Sequence, residues 1–169
     1  MAATKHFPRM NYLVKRGLRE LLTRSFITPK EWSIILEFFN NRCAFCGIEH
    51  SGNNRTGLVP DHLIPAVKYG ELCLGNAVPS CQDCNDKRGD RDWREYLNET
   101  NLSNKSKCMR QIDEYRRRYP YRPIKSPAQV LTVEEYSEYK RLLDTWKILW
   151  RDARFLRDKI NKRRKEVGV

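Results

Sequence analysis

Apolar residues at Leu13, Val14, Leu18, Leu21 and Leu22 recur at helical spacing, so residues 11–24 are expected to form an amphipathic helix, weakened by Gly17 and ended by the stretch 25–29. Thr28 then reads as an N-cap, with Pro29 at the first helical position and Glu31 completing a capping box. The helix this opens runs to about Asn40, with Trp32, Ile35, Leu36 and Phe39 facing inward. Residues 43–60 are turn-rich. Residues 58–63 are extended, with Pro60 limiting them to an edge or broken strand, and a second short strand is expected near Ala77 and Val78. From about Asp83 the pattern turns helical through Leu97. A polar linker at 98–106 precedes a helix near 107–119 that Pro120 stops, and a proline-punctuated connector follows.

The last stretch reads as one helix over 132–166, about 50 Å long at 1.5 Å per residue. Thr132 caps it. Glu134 and Glu135 in the first turn and Arg163, Arg164 and Lys165 in the last match the helix dipole. Tyr136, Tyr139, Leu143, Trp146, Trp150, Ala153 and Ile160 form a seam that Arg157 interrupts. Such a seam is expected to bury against the domain or a second copy.

Composition changes this picture through charge. The 169 residues carry 33 Lys plus Arg against 21 Asp plus Glu, a net charge of +12. That balance points to a polyanion, most simply nucleic acid, with a merely solubilising surface as the bland alternative. The charge is uneven: net +5 over residues 1–42, −2 over 43–90 and +9 over 91–169. No apolar run approaches the ~18–20 residues that span a bilayer, which excludes a membrane-spanning helix. The N-terminal residues lack a secretory pattern, so a cytoplasmic, reducing location is expected.

The acidic middle holds five of the six cysteines. Cys43/Cys46 and Cys81/Cys84 are both C-x2-C pairs, separated by 34 residues. Two such knuckles supply the four thiolates of a structural Zn²⁺ site, closed to substrate and therefore a staple. A thioredoxin-like redox pair would need only one of them and a βαβ setting that is absent here. Cys73 and Cys108 lie outside the pattern and are expected to be plain thiols. Between and just after the knuckles stand Asp61, His62, Asn76 and Asn85, residue types that can bind a hard cation or move a proton. A lone His is more often structural, but the knuckles fix both ends of this stretch and can bring Asp61 and Asn85 together across 24 positions.

These residues resemble the HNH endonucleases of the ββα-metal class. The pattern C-x2-C, D-H-x-x-P, G and N, then P-x-C-x2-C-N is met by Cys43/Cys46, Asp61-His62 with Pro65, Gly70 and Asn76, and Pro79 to Asn85. The intervals of 14 from His62 to Asn76 and 9 from Asn76 to Asn85 are typical of the family. The resemblance covers residues 32–97 and implies an α+β fold: a small ββα-metal HNH core stapled by a four-cysteine zinc site, flanked by mainly α-helical N- and C-terminal arms. The expected parts are a basic helical arm at 1–31, the nuclease core at 32–97 and a basic helical extension at 98–169.

The resemblance also implies roles. His62 stands at the general-base position; an ordinary imidazole pKa near ~6.5 suits proton abstraction at neutral pH. Asp61 and Asn85 stand at the positions that hold the catalytic Mg²⁺, for which Mn²⁺ or Ni²⁺ could substitute. Asn76 braces the loop and so orients the His. The implied activity is metal-dependent hydrolysis of double-stranded DNA with 5′-phosphate products. A compact restriction-type enzyme is the first expectation, and a phage or mobile-element (homing or packaging) nuclease the close second. A non-catalytic zinc-stapled binding module and an RNA-directed nuclease or toxin remain as other classes. Arg88 stands where the family often has Lys; with Lys87 beside it, either could contact phosphate, or simply be a solvated charge. Arg116, Arg117 and Arg118, with Tyr115, Tyr119 and Tyr121 nearby, suit phosphates and unstacked bases, or a solvated helix end. A homodimer would place two active sites on opposite strands. His6 and His50 are expected at the surface.

Overall fold

The computed structural model describes residues 6–49 and 57–166. The expected exposure of His50 and the turn formers at 51–54 lie outside the described residues, as does the side chain of His6. The chain divides into two compact units, Arg19–Lys125 and a second made of Met1–Leu18 with Ser126–Val169.

Within the first unit, α2 (Pro29–Phe38) begins as its sequence dictates. The Thr28 hydroxyl accepts from Glu31 N–H at 3.3 Å, and Glu31 Oε2 accepts from Thr28 N–H at 3.1 Å. The strands β1 (Val59–His62) and β2 (Ala77–Ser80) form an antiparallel ribbon with Asp61 opposite Val78 and His62 opposite Ala77. Pro60 faces Pro79 across it. Neither proline can donate a ladder bond, which a two-stranded ribbon tolerates because both strands are edges. Pro79 still accepts from Ala44 N–H at 2.7 Å, tying the first cysteine knuckle to β2.

Directly after β2 comes α3 (Gln82–Arg88), completing the expected β-β-α order. The single helix expected from Asp83 to Leu97 is in fact two: Gly89 adopts φ +54°, and Asp92 then caps α4 (Trp93–Glu99) by accepting from Arg94 N–H at 2.8 Å. The break matters because it frees α4 to turn Trp93, Tyr96 and Leu97 into the core.

The core joins Ile35 and Phe39 of α2, Phe45, Leu63, Val78, Trp93, Leu97 and, from α5 (Lys105–Arg118), Cys108, Ile112 and Tyr115. The compact unit is therefore wider on both sides than residues 32–97: α5 supplies one wall of the core. Tyr115 is fully buried. Its hydroxyl accepts from Gly75 N–H at 2.8 Å and donates to the Ala77 carbonyl at 2.9 Å, so α5 also clamps the start of β2.

In the second unit, α6 (Val133–Glu166) is the long helix the periodicity predicts. Thr132 and Glu135 form a reciprocal cap at its start, 3.2 and 2.8 Å. Tyr139 is buried, and Leu143, Trp146, Trp150, Ala153 and Ile160 are half-buried along the expected seam. Tyr136 lies outside it at 37% exposed. Arg157 continues the seam instead of interrupting it, half-buried, as an aliphatic stem with a charged tip can. Trp146 Nε1 donates to Asn11 Oδ1 at 2.9 Å. The N-terminal helix α1 (His6–Glu20) ends earlier than the expected residue 24, and Leu13 and Leu21 are exposed at 53% and 69%. No helix among the described residues is long and apolar enough to cross a membrane.

Candidate metal centre and nuclease site

The four sulfurs of Cys43, Cys46, Cys81 and Cys84 lie within 4.8 Å of one another. Gly47 (φ +73°) turns the first knuckle so that its N–H reaches the Cys43 carbonyl at 2.8 Å. The second knuckle is the first turn of α3. Cys46 Sγ and Cys81 Sγ are 3.8 Å apart. A tetrahedron with Zn–S bonds of about 2.3 Å has edges of about 3.8 Å, so the donor set fits zinc in both chemistry and spacing. The crowding also shows in acidity. Hydrogen bonds with Cys46 and Cys84 pull the Cys43 thiol down, while the same contact pushes Cys46 up to about 12 and pushes Cys84 up too. A divalent cation at the centre would hold all four as thiolates. Cys73 and Cys108 stand apart from this cluster and form no disulfide.

Between the knuckles, Asn76 is fully buried and acts as a staple. Its Oδ1 accepts from Ile64 N–H at 2.8 Å, and its Nδ2 donates to the carbonyls of Glu71 (2.8 Å) and Ile64 (3.2 Å). Gly70 makes this closure feasible: a Cβ there would stand 1.7 Å from the Ile64 oxygen. The segment just after His62 is thereby fixed against the loop that leads to β2. His62 itself is half-buried at the end of β1.

Asp61, one residue earlier, is 5% exposed and meets α3 through Arg88. Arg88 Nε donates to Asp61 Oδ2 at 2.9 Å and Nη2 to Oδ1 at 2.6 Å, a bidentate fork. Two further N–H groups go to the carbonyls of Arg91 (2.8 Å) and His62, and the guanidinium lies 5.5 Å from the centre of the Phe45 ring. Burial pushes the Asp61 carboxyl up, and the Arg88 guanidinium opposes that shift. Asn85 precedes Arg88 by three residues, so both project from one face of α3 and Asn85 is carried toward the Asp61 side. The Asn85 side chain is half-buried and has no hydrogen-bond partner among the described residues.

The basic candidates separate. Lys87 is exposed. Arg88, read from sequence as a phosphate contact or a solvated charge, is 2% exposed and donates four hydrogen bonds inside the protein, because the buried Asp61 carboxylate demands a counter-charge. Arg116, Arg117 and Arg118 are exposed at the end of α5. The aromatic rings read as partners for bases are structural: Tyr115 is buried, Tyr119 packs at 5.3 Å from its ring, and the Tyr121 hydroxyl accepts from Glu71 N–H at 3.0 Å. Sequence reasoning missed Asn104, whose Nδ2 donates to the Cys46 carbonyl at 2.8 Å and so braces the first knuckle from the start of α5. A lone Asn in a polar linker carries no signal of such a role.

Residues 43–91 match the family model of the HNH endonucleases. The chain thus carries an HNH endonuclease domain, and that domain contains both knuckles, Asp61, His62, Asn76, Asn85 and Arg88. A relative in Bacillus subtilis (strain 168), named "SPbeta prophage-derived putative HNH endonuclease YoqL", is 25% identical over 114 residues. The match covers 64% of this chain and 48% of the relative, so the chain spans about half of that protein's length.

Proposed function

We propose that this protein is a metal-dependent DNA endonuclease that hydrolyses phosphodiester bonds at the Asp61–His62 end of β1. The carrying observation is the convergence of β1 and α3: Asp61 is tied to Arg88, one helical turn from Asn85, whose side chain has no hydrogen-bond partner among the described residues, inside a frame closed by four cysteines. Asp61 and Asn85 offer hard oxygen donors and would hold a divalent ion such as Mg²⁺, with Mn²⁺ or Ni²⁺ as substitutes. When bound, that ion supplies electrostatic stabilisation of the scissile phosphate and the departing 3′-oxygen. His62 accepts the proton of the attacking water at an imidazole nitrogen. Asn76 keeps the backbone after His62 in place, which holds the imidazole in register with the phosphate. Lys87, Arg116, Arg117 and Arg118, all exposed, are assigned to phosphates of the duplex, where they contribute affinity and salt dependence.

Of the two biological roles the sequence leaves open, restriction-type and phage or mobile-element nuclease, the prophage origin of the relative favours the second. Supercoiled plasmid incubated with Mg²⁺ is expected to be nicked or linearised, to stay intact with EDTA, and to carry 5′-phosphates at the new ends. Binding without cleavage in both Mg²⁺ and Mn²⁺ would make the protein a zinc-stapled binding module instead.

A further inference from the structure

Arg88 does more than fill space beside Asp61. Its fork covers both carboxylate oxygens, at 2.9 and 2.6 Å, and the pair is 2% and 5% exposed. The guanidinium cannot lose its charge to make way for another cation. Nor can it swing out cheaply, because Phe45 and the carbonyls of His62 and Arg91 hold the rest of it. The Arg88 fork takes one lone pair of each carboxylate oxygen and the His62 backbone N–H takes part of the rest, so a divalent ion can reach Asp61 only through the capacity that remains, alongside a fixed positive charge with little water to screen it.

We infer that Arg88 sets the metal affinity of this site, holding the Asp61 carboxylate in position while keeping divalent-ion binding weak until a phosphate group arrives. The inference rests on Asp61 being a ligand of the catalytic ion. The phosphate anion adds the negative charge that Arg88 cancels, so ion and nucleic acid bind in a mutually dependent way. Arg88 is thus a positioning residue: it acts on the ion through Asp61.

The test is a Mn²⁺ titration of the zinc-loaded full chain, free of nucleic acid, followed by calorimetry and by loss of the free Mn²⁺ resonance signal. Arg88→Met removes the charge, and Arg88→Gln removes the charge while keeping an N–H donor for Asp61. Arg88→Gln carries the test should Arg88→Met not fold. Both neutral variants are expected to bind Mn²⁺ at least about tenfold more tightly than wild type, a modest demand on one poorly screened like-charge contact. Arg88→Lys, which keeps the charge, is expected to stay near wild type. Asp61→Asn in the Arg88→Gln background is expected to erase the gain. Neutral variants that bind Mn²⁺ no better than wild type would overturn the role of Arg88 and leave the nuclease reading standing on its own cleavage assay. A gain that survives Asp61→Asn would overturn both the inference and the assignment of Asp61 as a ligand.

Discussion

Glu31 ties three segments together. Its carboxylate accepts from the Arg24 guanidinium at 2.6 Å, from the Thr28 hydroxyl at 2.7 Å and from the backbone N–H groups of Thr28 and Leu74. Burial alone would raise its pKa, but these donors bring it from 4.5 down to about 2. A carboxylate with a depressed folded pKa stabilises the fold fully above its unfolded pKa and ceases to do so as pH falls through the folded one. Denaturant melts of wild type and Glu31→Gln are therefore expected to differ by about 1.5–3 kcal/mol near pH 6. The gap should close between about pH 4.5 and about pH 2. Loss of zinc in acid is common to both proteins and cancels in the comparison; a gap unchanged down to pH 2 would contradict the account. Tyr115→Phe tests a second buried contact. It leaves Gly75 N–H and the Ala77 carbonyl unpaired and is expected to cost about 1–3 kcal/mol in urea unfolding. The two residues differ in how readable they are. Glu31 announces its cap by its spacing from Thr28, a local rule. Tyr115 sits beside three arginines in sequence and looks like a nucleic-acid contact; only the placement of α5 on β2 turns its ring inward.

The same division runs through the elements. Both knuckles, the ribbon of β1 and β2, and the cap of α2 follow from local spacing and turn residues, and all are present. The break between α3 and α4 was not legible, because residues 83–97 keep a helical pattern while the need to swing Trp93 and Leu97 into the core is a tertiary demand. The stripe assigned to α1 was half right: Val14 and Leu18 are half-buried and Leu22 is buried, whereas Leu13 and Leu21 face solvent. At the four-cysteine cluster, the candidate ligands could be read from sequence and their support could not. Asn104 of the linker before α5 braces the Cys46 carbonyl and also packs where a Cβ on Gly47 would fall, 2.8 Å from its Nδ2. Asn104→Ala is expected to weaken zinc retention by about tenfold, the low end of effects from groups that orient metal ligands. Competition with a chromophoric chelator measures this, and an unchanged transfer of zinc would remove Asn104 from the centre.

At the scale of the whole molecule, the net charge of +12 resolves into basic flanks around a stretch of −2. Four thiolates around one Zn²⁺ would add a further −2 to that stretch. Arg88 is one of the few cations inside it, and it is spent on Asp61. Under the proposed function, affinity for a polyanion is assigned to the exposed basic residues Lys87, Arg116, Arg117 and Arg118, and chemistry to Asp61, His62 and Asn85. That proposed separation predicts that the chemistry can be removed without disturbing either fold or binding. The most direct measurement is the rate of supercoiled plasmid cleavage in Mg²⁺ by zinc-loaded wild type and by His62→Ala with the same zinc content and melting temperature. The account predicts a loss of at least about 10²-fold for the variant, the scale of a lost general base, with plasmid binding retained. Cleavage by His62→Ala at the wild-type rate would contradict it.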